Sequence, residues 1–579
     1  MSRRNEEVAA LLENIAKLLA LKGEDPFRIR AYDEAAHSVS ARSDDVEDLH
    51  RAGRLEEIPR VGPSIAAKIA AYLDSGRSAY YEELKRQIPV AAADLLEVPG
   101  IGPARAQLLH ERLGISSLLE LEQAAREQKL RALPRFGPKL EERIAREAAR
   151  VAQRTRRLLL GVALPAAEEV VHLLRDHPAV EAVHPAGSIR RGRETIGDID
   201  ILVASDQPAA VIDAFAALPL AKEMLARGPT RASILTRDNL QIDCRVIRPP
   251  EYGSALQYFT GSKDHNIALR AVAMSRGWKL SEYGLFDQRG GRVAGGDEDE
   301  VYRALGLDPM PPELRENRGE LAAAAQHRLP KLVALGAVRG DLHAHTDWSD
   351  GHDSAERMVE AAIARGYEYL ALTDHSRSLG VAGGLSVERL REQHRLIERL
   401  NERYAPFRVL HGAEIDILPN GELDYPDEVL AELDLVTVSV HSSFRQPGAR
   451  MTARITRALR NPYVDVLNHP SGRLLLRRPA HQADIEALIR VAAETGVALE
   501  IDGQPDRLDL DDGWARRATA AGVLLACNSD AHGARQLEYV RYAVTTARRG
   551  WVETQNVLNT WPLRRLLAHL RRRRPARAA

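Results

Sequence analysis

The sequence predicts a multidomain chain of mixed α+β and α/β character: a helical N-terminal third, a strand-rich middle, and a C-terminal distorted α/β barrel. Three observations predict this. A short Pro/Gly pattern recurs three times in the N-terminal third, strand-like runs follow at residues 198–202 and 240–246, and polar clusters then recur after short apolar runs beyond residue 340. A chain of 579 residues is too long for one core, and roughly two to four domains are expected. Apolar content of 44% and charged content of 28% fit a globular protein.

No uninterrupted apolar run reaches membrane-spanning length, and the start Met1-Ser2-Arg3-Arg4-Asn5-Glu6 lacks the apolar centre of a signal peptide. A cytosolic, monomeric protein with no membrane partner is expected. Only Cys244 and Cys527 occur, both inside apolar strand-like runs, which excludes a disulfide framework and a cysteine zinc site and leaves them as core filler. The net charge of −1 does not exclude a nucleic-acid partner, because the field in a groove depends on local charge rather than on the total.

The N-terminal repeats are Ile58-Pro59-Arg60-Val61-Gly62-Pro63, Val98-Pro99-Gly100-Ile101-Gly102-Pro103 and Leu133-Pro134-Arg135-Phe136-Gly137-Pro138, each followed by a helical run rich in Ala, Lys or Arg. This is a helix-hairpin-helix signature. Gly62, Gly100, Gly102 and Gly137 allow close backbone approach, and the following helix aims free N–H groups at a phosphate oxygen. Such contacts position DNA without reading its sequence. One copy would be an ordinary packing turn; three copies point to DNA.

The middle carries Gly187-Ser188-Ile189-Arg190-Arg191-Gly192 and then Gly197-Asp198-Ile199-Asp200-Ile201-Leu202. Residues two apart on a strand share a face, so Asp198 and Asp200 present paired carboxylates that can bridge two divalent ions. Gly187 and Ser188 offer backbone N–H groups and a hydroxyl, and Arg191 adds a fixed positive charge suited to a triphosphate. The alternating run Leu240 to Val246 places Asp243 on a neighbouring strand as the third carboxylate. Two oxygen-liganded ions about 3.5–4 Å apart stabilise both the attacking and the leaving oxygen, and magnesium suits such ligands. The chemistry expected is nucleotidyl transfer.

With Tyr258-Phe259-Thr260-Gly261-Ser262 and Asn266 downstream, the chain to about residue 315 resembles a family X DNA polymerase, the group that includes polymerase beta. The resemblance implies a nucleotidyltransferase palm with a mixed sheet, with Asp198, Asp200 and Asp243 as catalytic metal ligands. It implies that Gly187, Ser188 and Arg191 hold the incoming triphosphate and that Tyr258, Phe259 and Gly261 pack against the sugar and exclude a 2′-hydroxyl. Asn266 would meet the minor-groove edge of the incoming base, and Arg270 the template strand. Lys68 matches the Schiff-base lysine of polymerase beta, but Ser64 stands where that protein has a supporting lysine, so an exposed helix lysine touching phosphate is the expected role and lyase chemistry the alternative. The sequence also departs from polymerase beta at Ala163, where that protein has an arginine on the triphosphate, and at Lys263, where it has an aspartate. Lys263 is therefore expected to contact the triphosphate in place of the missing arginine.

Residues 311 to about 339 read as a connection. Beyond it lie Asp341-Leu342-His343-Ala344-His345, Ser349-Asp350-Gly351, Thr373-Asp374-His375, Gly412-Ala413-Glu414, Ser439-Val440-His441, Asn468-His469-Pro470 and Ser529-Asp530-Ala531-His532. Polar residues recurring at strand ends describe a barrel with a metal site at its C-terminal face. From about residue 338 to 570 the chain resembles the PHP (polymerase and histidinol phosphatase) family. That resemblance implies three ions: one on His343, His345, Glu414 and Asp530, one on Glu414, His441 and His469, and one on Asp350, His375 and His532. Imidazole-rich, sulfur-free ligation suits manganese, zinc or iron.

The expected domains are a lyase-like helical domain (1–88), a helix-hairpin-helix domain (89–158), a palm (159–249), a nucleotide clamp (250–315), a linker (316–339) and a PHP phosphoesterase with a basic tail (340–579). The expected function is gap-filling DNA synthesis in repair on gapped or primer-template DNA with dNTPs, joined to a 3′–5′ exonuclease, with abasic-site cleavage or 3′-phosphate removal as further options. The alternative is a DNA nuclease or phosphatase with a weak, scaffold-like polymerase core. A small-molecule phosphoesterase is disfavoured by the hairpin repeats. The tail Arg571 to Pro575 is a solvated basic end.

Overall fold

A computed structural model describes residues 3–573 apart from 23, 41–45, 76, 77, 79, 82, 85–94, 96, 97, 99, 116, 117, 135, 156 and 239. Pro99 and Arg135 of the hairpin repeats, and Arg574 and Pro575 of the tail, lie outside the described residues. The chain forms two compact units, Met1–Arg156 and Arg157–Ala579. No helix among the described residues is long and apolar enough to cross a membrane.

The first unit is helical, and its repeats fold alike. In each, the apolar residue before the glycine donates its N–H three residues back: Val61 to Ile58 O (3.0 Å), Ile101 to Val98 O (2.9 Å) and Phe136 to Leu133 O (3.2 Å). The next glycine carbonyl then accepts the first helical N–H, from Ala66 to Gly62, Ala106 to Gly102 and Glu141 to Gly137. Helices Pro63–Ser75, Pro103–Leu113 and Pro138–Thr155 follow, each opening on the proline whose missing N–H costs a first helical turn nothing. Val61, Ile101 and Phe136 are buried in one apolar core with the long N-terminal helix, which anchors all three hairpins to the same centre.

The second unit begins with helix Leu160–Arg175, whose Ala163 is fully buried. A five-stranded mixed sheet follows, in the order Ala182–Pro185, Ile199–Ala204, Gln241–Ile247, Arg231–Thr236, Ala221–Arg227. Only Ile199–Ala204 and Gln241–Ile247 run parallel, and their register sets Asp200 directly opposite Asp243. Cys244 is buried in this sheet and Cys527 in the barrel, as strand residues. Helices Tyr252–Thr260 and Lys263–Ser275 come next, and the segment expected to be a linker includes helix Glu320–Ala325, with Glu320 fully buried against His265.

The C-terminal part is a parallel sheet of seven strands in sequence order: Gly340–Asp341, Tyr369–Leu372, Arg408–Asp416, Leu435–Ser439, Val466–Leu467, Ala498–Asp502 and Leu525–Asn528. A parallel bridge between Ala344 and Ala531 joins the ends of the first and last strands, so the sheet nearly closes into a barrel. Helices such as Ala355–Ala364, Val387–Arg403 and Ile485–Thr495 connect the strands, as parallel pairing requires. Leu508 and Tyr542, from a loop and a helix around the barrel, are buried in the same apolar cluster as Ile199, Ile201 and Ile242 of the mixed sheet, so the barrel's outer layer packs into the palm's core.

Candidate active sites

The mixed sheet gathers the three carboxylates. Asp200 and Asp243 are partly buried on adjacent strands, and Asp198 is exposed at the entry to the first of them. Gly187 explains how the turn at residues 187–192 comes so near. Its φ is +61°, and a Cβ there would lie 3.1 Å from Asp200 Oδ2, so only glycine lets the backbone pass. The turn is anchored by Ala186 N–H donating to Asp200 O at 2.8 Å. Burial first, then the charges of Asp198 and Asp243, push the Asp200 carboxyl up to about 6. A site made only of oxygen donors, with one carboxyl displaced by its neighbours, fits hard divalent cations.

The arginines and the clamp surround this triad. The Arg190 guanidinium pairs with Glu298 at 2.7 Å, and Glu298 also pairs with the buried Arg315. Arg191 donates to the Thr260 carbonyl and, at 3.1 Å, to Glu316. At Gly261, with φ +70°, a Cβ would lie 3.2 Å from Arg191 Nη1, so this glycine keeps the clamp turn close to the arginine. Tyr258 and Phe259 meet edge to face at 5.2 Å, and Arg245 covers Phe259 at 4.6 Å. Ser188 is partly buried in the turn. The Asn266 amide is turned inward, donating to Tyr258 O at 2.7 Å and accepting from Gln257 at 2.8 Å. Lys263 is exposed in the first turn of its helix, behind the Ser262 cap. Arg270 follows on the same helix, on a face with the exposed Ile267 and Met274.

In the first unit, Lys68 Nζ donates to Ser64 O and Ser64 Oγ, both at 2.9 Å, and lies 4.9 Å from the Tyr80 ring. Burial and then the Arg28 charge lower its pKa. Gly62 and Gly102 are exposed at their hairpin turns, while Gly100 and Gly137 are half-buried.

The barrel brings all nine expected ligands to the C-terminal ends of its strands. His343 Nε2, His345 Nε2, Asp530 Oδ1 and Glu414 Oε2 converge, with His343 3.1 Å from His345, 3.3 Å from Asp530 and 3.5 Å from Glu414. Glu414 Oε1 stands 2.9 Å from His469 Nε2 and 3.5 Å from His441 Nε2. Asp350 Oδ2 stands 3.4 Å from His375 and 3.5 Å from His532. His375 also lies 3.0 Å from Glu414 and His345 3.8 Å from Asp350, so the three sets are contiguous. His345 Nδ1 is buried with no hydrogen-bond partner among the described residues, an orphaned donor atom that a cation would satisfy. Burial opposes charge on these rings, yet Glu414 and Asp350 raise His375 to about 10, and Asp350 and Asp530 raise His532 to about 9. The carboxylates demand positive charge, and a mixed N/O donor set suits borderline divalent ions.

Two supporting carboxylates were not anticipated from the sequence. Glu500 Oε1 lies 2.7 Å from His343 Nδ1, and its other oxygen accepts the His469 N–H at 2.7 Å. Asp416 Oδ1 lies 2.8 Å from His441 Nδ1. Each holds the far nitrogen of a ring so that Nε2 faces the cluster. The signal was present: Glu414 and Asp416, like Glu500 and Asp502, sit two apart in strands and share a face.

One centre built of carboxylates alone and another of clustered imidazoles and carboxylates make this an enzyme with two metal-dependent phosphoryl-transfer sites. Family profiles described as helix-hairpin-helix domain, SAM-like helix-hairpin-helix tandem, DNA polymerase beta thumb and PHP domain match residues 3–78, 92–150, 255–316 and 341–504. The chain is 39% identical over 570 residues to the DNA polymerase/3′-5′ exonuclease PolX of Bacillus subtilis (strain 168), covering 98% of this chain and 99% of the relative. It is 25% identical over 345 residues to DNA polymerase lambda of Rattus norvegicus (54% of this chain, 56% of the relative), and 29% identical over 238 residues to a probable phosphatase of Thermoanaerobacter sp. (strain X514) (38% and 89%). The chain belongs to the bacterial family X DNA polymerases that carry a C-terminal PHP domain.

Proposed function

We propose that this chain fills short gaps during DNA repair and trims 3′ ends, with synthesis in the palm and 3′–5′ exonuclease activity in the barrel. One observation carries this: a single chain holds both three neighbouring carboxylates, with Asp200 and Asp243 in direct strand register, and a separate cluster of nine histidine and carboxylate side chains. In this reading the chain divides into 1–88 lyase-like, 89–158 helix-hairpin-helix, 159–249 palm, 250–315 clamp, 316–339 connection and 340–579 PHP. The DNA partner supports a cytoplasmic location, and the chain acts as a monomer.

In the palm, Asp198, Asp200 and Asp243 would hold two magnesium ions, which would supply polarisation of the phosphoryl oxygens and a lowered pKa for the attacking 3′-hydroxyl. The Gly187 backbone and the Ser188 hydroxyl donate to phosphate oxygens, and Arg191 neutralises them. Tyr258, Phe259 and Gly261 line the sugar and leave no room for a 2′-hydroxyl, Asn266 meets the base edge, Arg270 the template, and Lys263 the triphosphate. Gly62, Gly100, Gly102 and Gly137 bring hairpin backbone to DNA phosphates.

In the barrel, His343, His345, Asp350, His375, Glu414, His441, His469, Asp530 and His532 would hold three ions of manganese, zinc or iron, which would supply a water-derived nucleophile near neutral pH and polarisation of the phosphodiester. Glu500 and Asp416 fix the imidazoles that face them. The lowered pKa of Lys68 supports lyase chemistry on an abasic sugar. The test is a single incubation of a one-nucleotide gap with dNTPs and magnesium or manganese, resolved for extension and degradation together. Extension under magnesium with degradation favoured by manganese is expected; absence of extension on every gapped substrate would leave only the nuclease.

A further inference from the structure

The helix Val540–Arg549 belongs to the barrel, yet its end is built into the palm's phosphate-binding turn. Gly192, which ends that turn with φ +63°, faces Thr545 so closely that no Cβ fits between them. Arg549 is 2% exposed and makes three charge-assisted contacts: to the Arg191 backbone carbonyl at 2.7 Å, to Glu316 at 3.1 Å and to Asp512 at 2.7 Å. Glu316 is at the same time the partner of the Arg191 guanidinium at 3.1 Å, and Arg193 lies 3.9 Å from it. Asp512 pairs in turn with Arg318 at 3.0 Å. The result is an alternating chain of charges from the triphosphate arginine into the barrel.

This arrangement sets a condition on nucleotide binding. Arg191 already gives Nε to Glu316 and Nη1 to the Thr260 carbonyl, so a triphosphate competes with Glu316 for the guanidinium charge, and a largely buried carboxylate deprived of its partner is costly. Another cation must stay with Glu316. Arg549 is already hydrogen-bonded to it and is fixed from behind by Asp512. Burial opposes charge on Glu316, but Arg549, Arg191 and Arg193 together hold its carboxyl below the usual range.

We propose that Arg549, a residue of the nuclease barrel, is a positioning residue for nucleotide binding in the palm: it holds the Arg191 backbone and keeps Glu316 neutralised when the Arg191 guanidinium moves to the triphosphate. This rests on the reading of Arg191 as a triphosphate ligand. An arginine that only glued the barrel to the palm would affect stability and kcat; this one acts on dNTP affinity through Glu316.

The test is single-nucleotide extension of a primer-template by the full chain, with KM for dNTP and kcat measured separately, melting temperature recorded, and 3′-end degradation as a control of the barrel. Arg549→Met is expected to raise KM about ten-fold, the effect of one lost charge-assisted hydrogen bond, with a much smaller change in kcat. Arg549→Lys keeps the charge but not the three simultaneous contacts, and its KM falls between the two. Glu316→Gln releases Arg191 from a charged partner, so KM falls, and adding Arg549→Met to it costs far less than in the wild type. An unchanged KM in Arg549→Met, or a KM raised by Glu316→Gln, overturns the proposal; the second result decides even where Arg549→Met is too unstable to assay. Arg191→Ala separates the two levels: unchanged KM there overturns the reading of Arg191 itself, while a raised KM there with no effect of Arg549→Met overturns only the role of Arg549.

Discussion

Asp200→Asn measures how far the palm holds its carboxylates against their own repulsion. Burial, then Asp198 and Asp243, raise the Asp200 carboxyl from 3.8 to about 6, and Arg245 and Arg231 offset only part of this. That displacement corresponds to about 3 kcal/mol of destabilisation once the group is ionised. The folded pKa lies above the unfolded one, so stability is intact below pH 3.8 and lost as pH rises through 6. Asparagine has no charge to lose. In chelator at pH 8 the variant is therefore expected to unfold about 3 kcal/mol less readily than wild type, with about half that difference at pH 5. Magnesium should close the gap by stabilising wild type alone, through binding to the folded state. Extension should vanish in the variant. Denaturant unfolding at the two pH values, with and without magnesium, reads all of this. Equal or lower stability of Asp200→Asn at pH 8 in chelator, or a difference that ignores pH, would refute the account of the triad as a repulsive site awaiting cations.

Other substitutions test the remaining assignments. Asp200→Ala should abolish primer extension and leave degradation, while His343→Ala does the reverse; loss of both activities in a folded His343→Ala protein would mean coupled centres. For Lys263, exposed at its helix start, dNTP affinity measured without DNA should fall in Lys263→Ala and fall further in Lys263→Asp, and unchanged affinity in both removes it from the triphosphate site. Borohydride should trap an abasic substrate on wild type and not on Lys68→Ala, because burial and Arg28 favour the neutral amine; no adduct on wild type removes the lyase activity.

How much was legible depended on sequence distance. The pair Asp198 and Asp200 announces itself by strand spacing, and the alternation from Leu240 to Val246 marks the strand of Asp243 correctly. That Asp243 stands opposite Asp200, and not elsewhere along the strand, is a register that only the folded sheet fixes. Hairpin glycines and barrel ligands were legible because each is a local pattern repeated several times. Glu500 and Asp416 were passed over because, although each shares a strand face with a second acid, the histidine it supports arrives from another strand. The pairing of Arg191 with Glu316, and of both with Arg549, spans 125, 233 and 358 residues of chain and leaves no local trace.

The two centres differ in chemistry but are joined in structure. Carboxylate oxygens alone in the palm and imidazole-rich donors in the barrel suit different ions, so point substitutions are expected to silence one and spare the other. Cutting the chain between them is another matter. Leu508 and Tyr542 pack into the palm's core, Arg473 pairs with Glu194 at 2.6 Å, and Arg549 holds the backbone of the turn at Arg191. Removing the barrel would open that core to water and strip Glu316 of its second cation. The barrel is thus a nuclease by its metal ligands and a wall of the polymerase by its far side, which makes substitution at the ligands, and not truncation, the means of asking what each activity does alone.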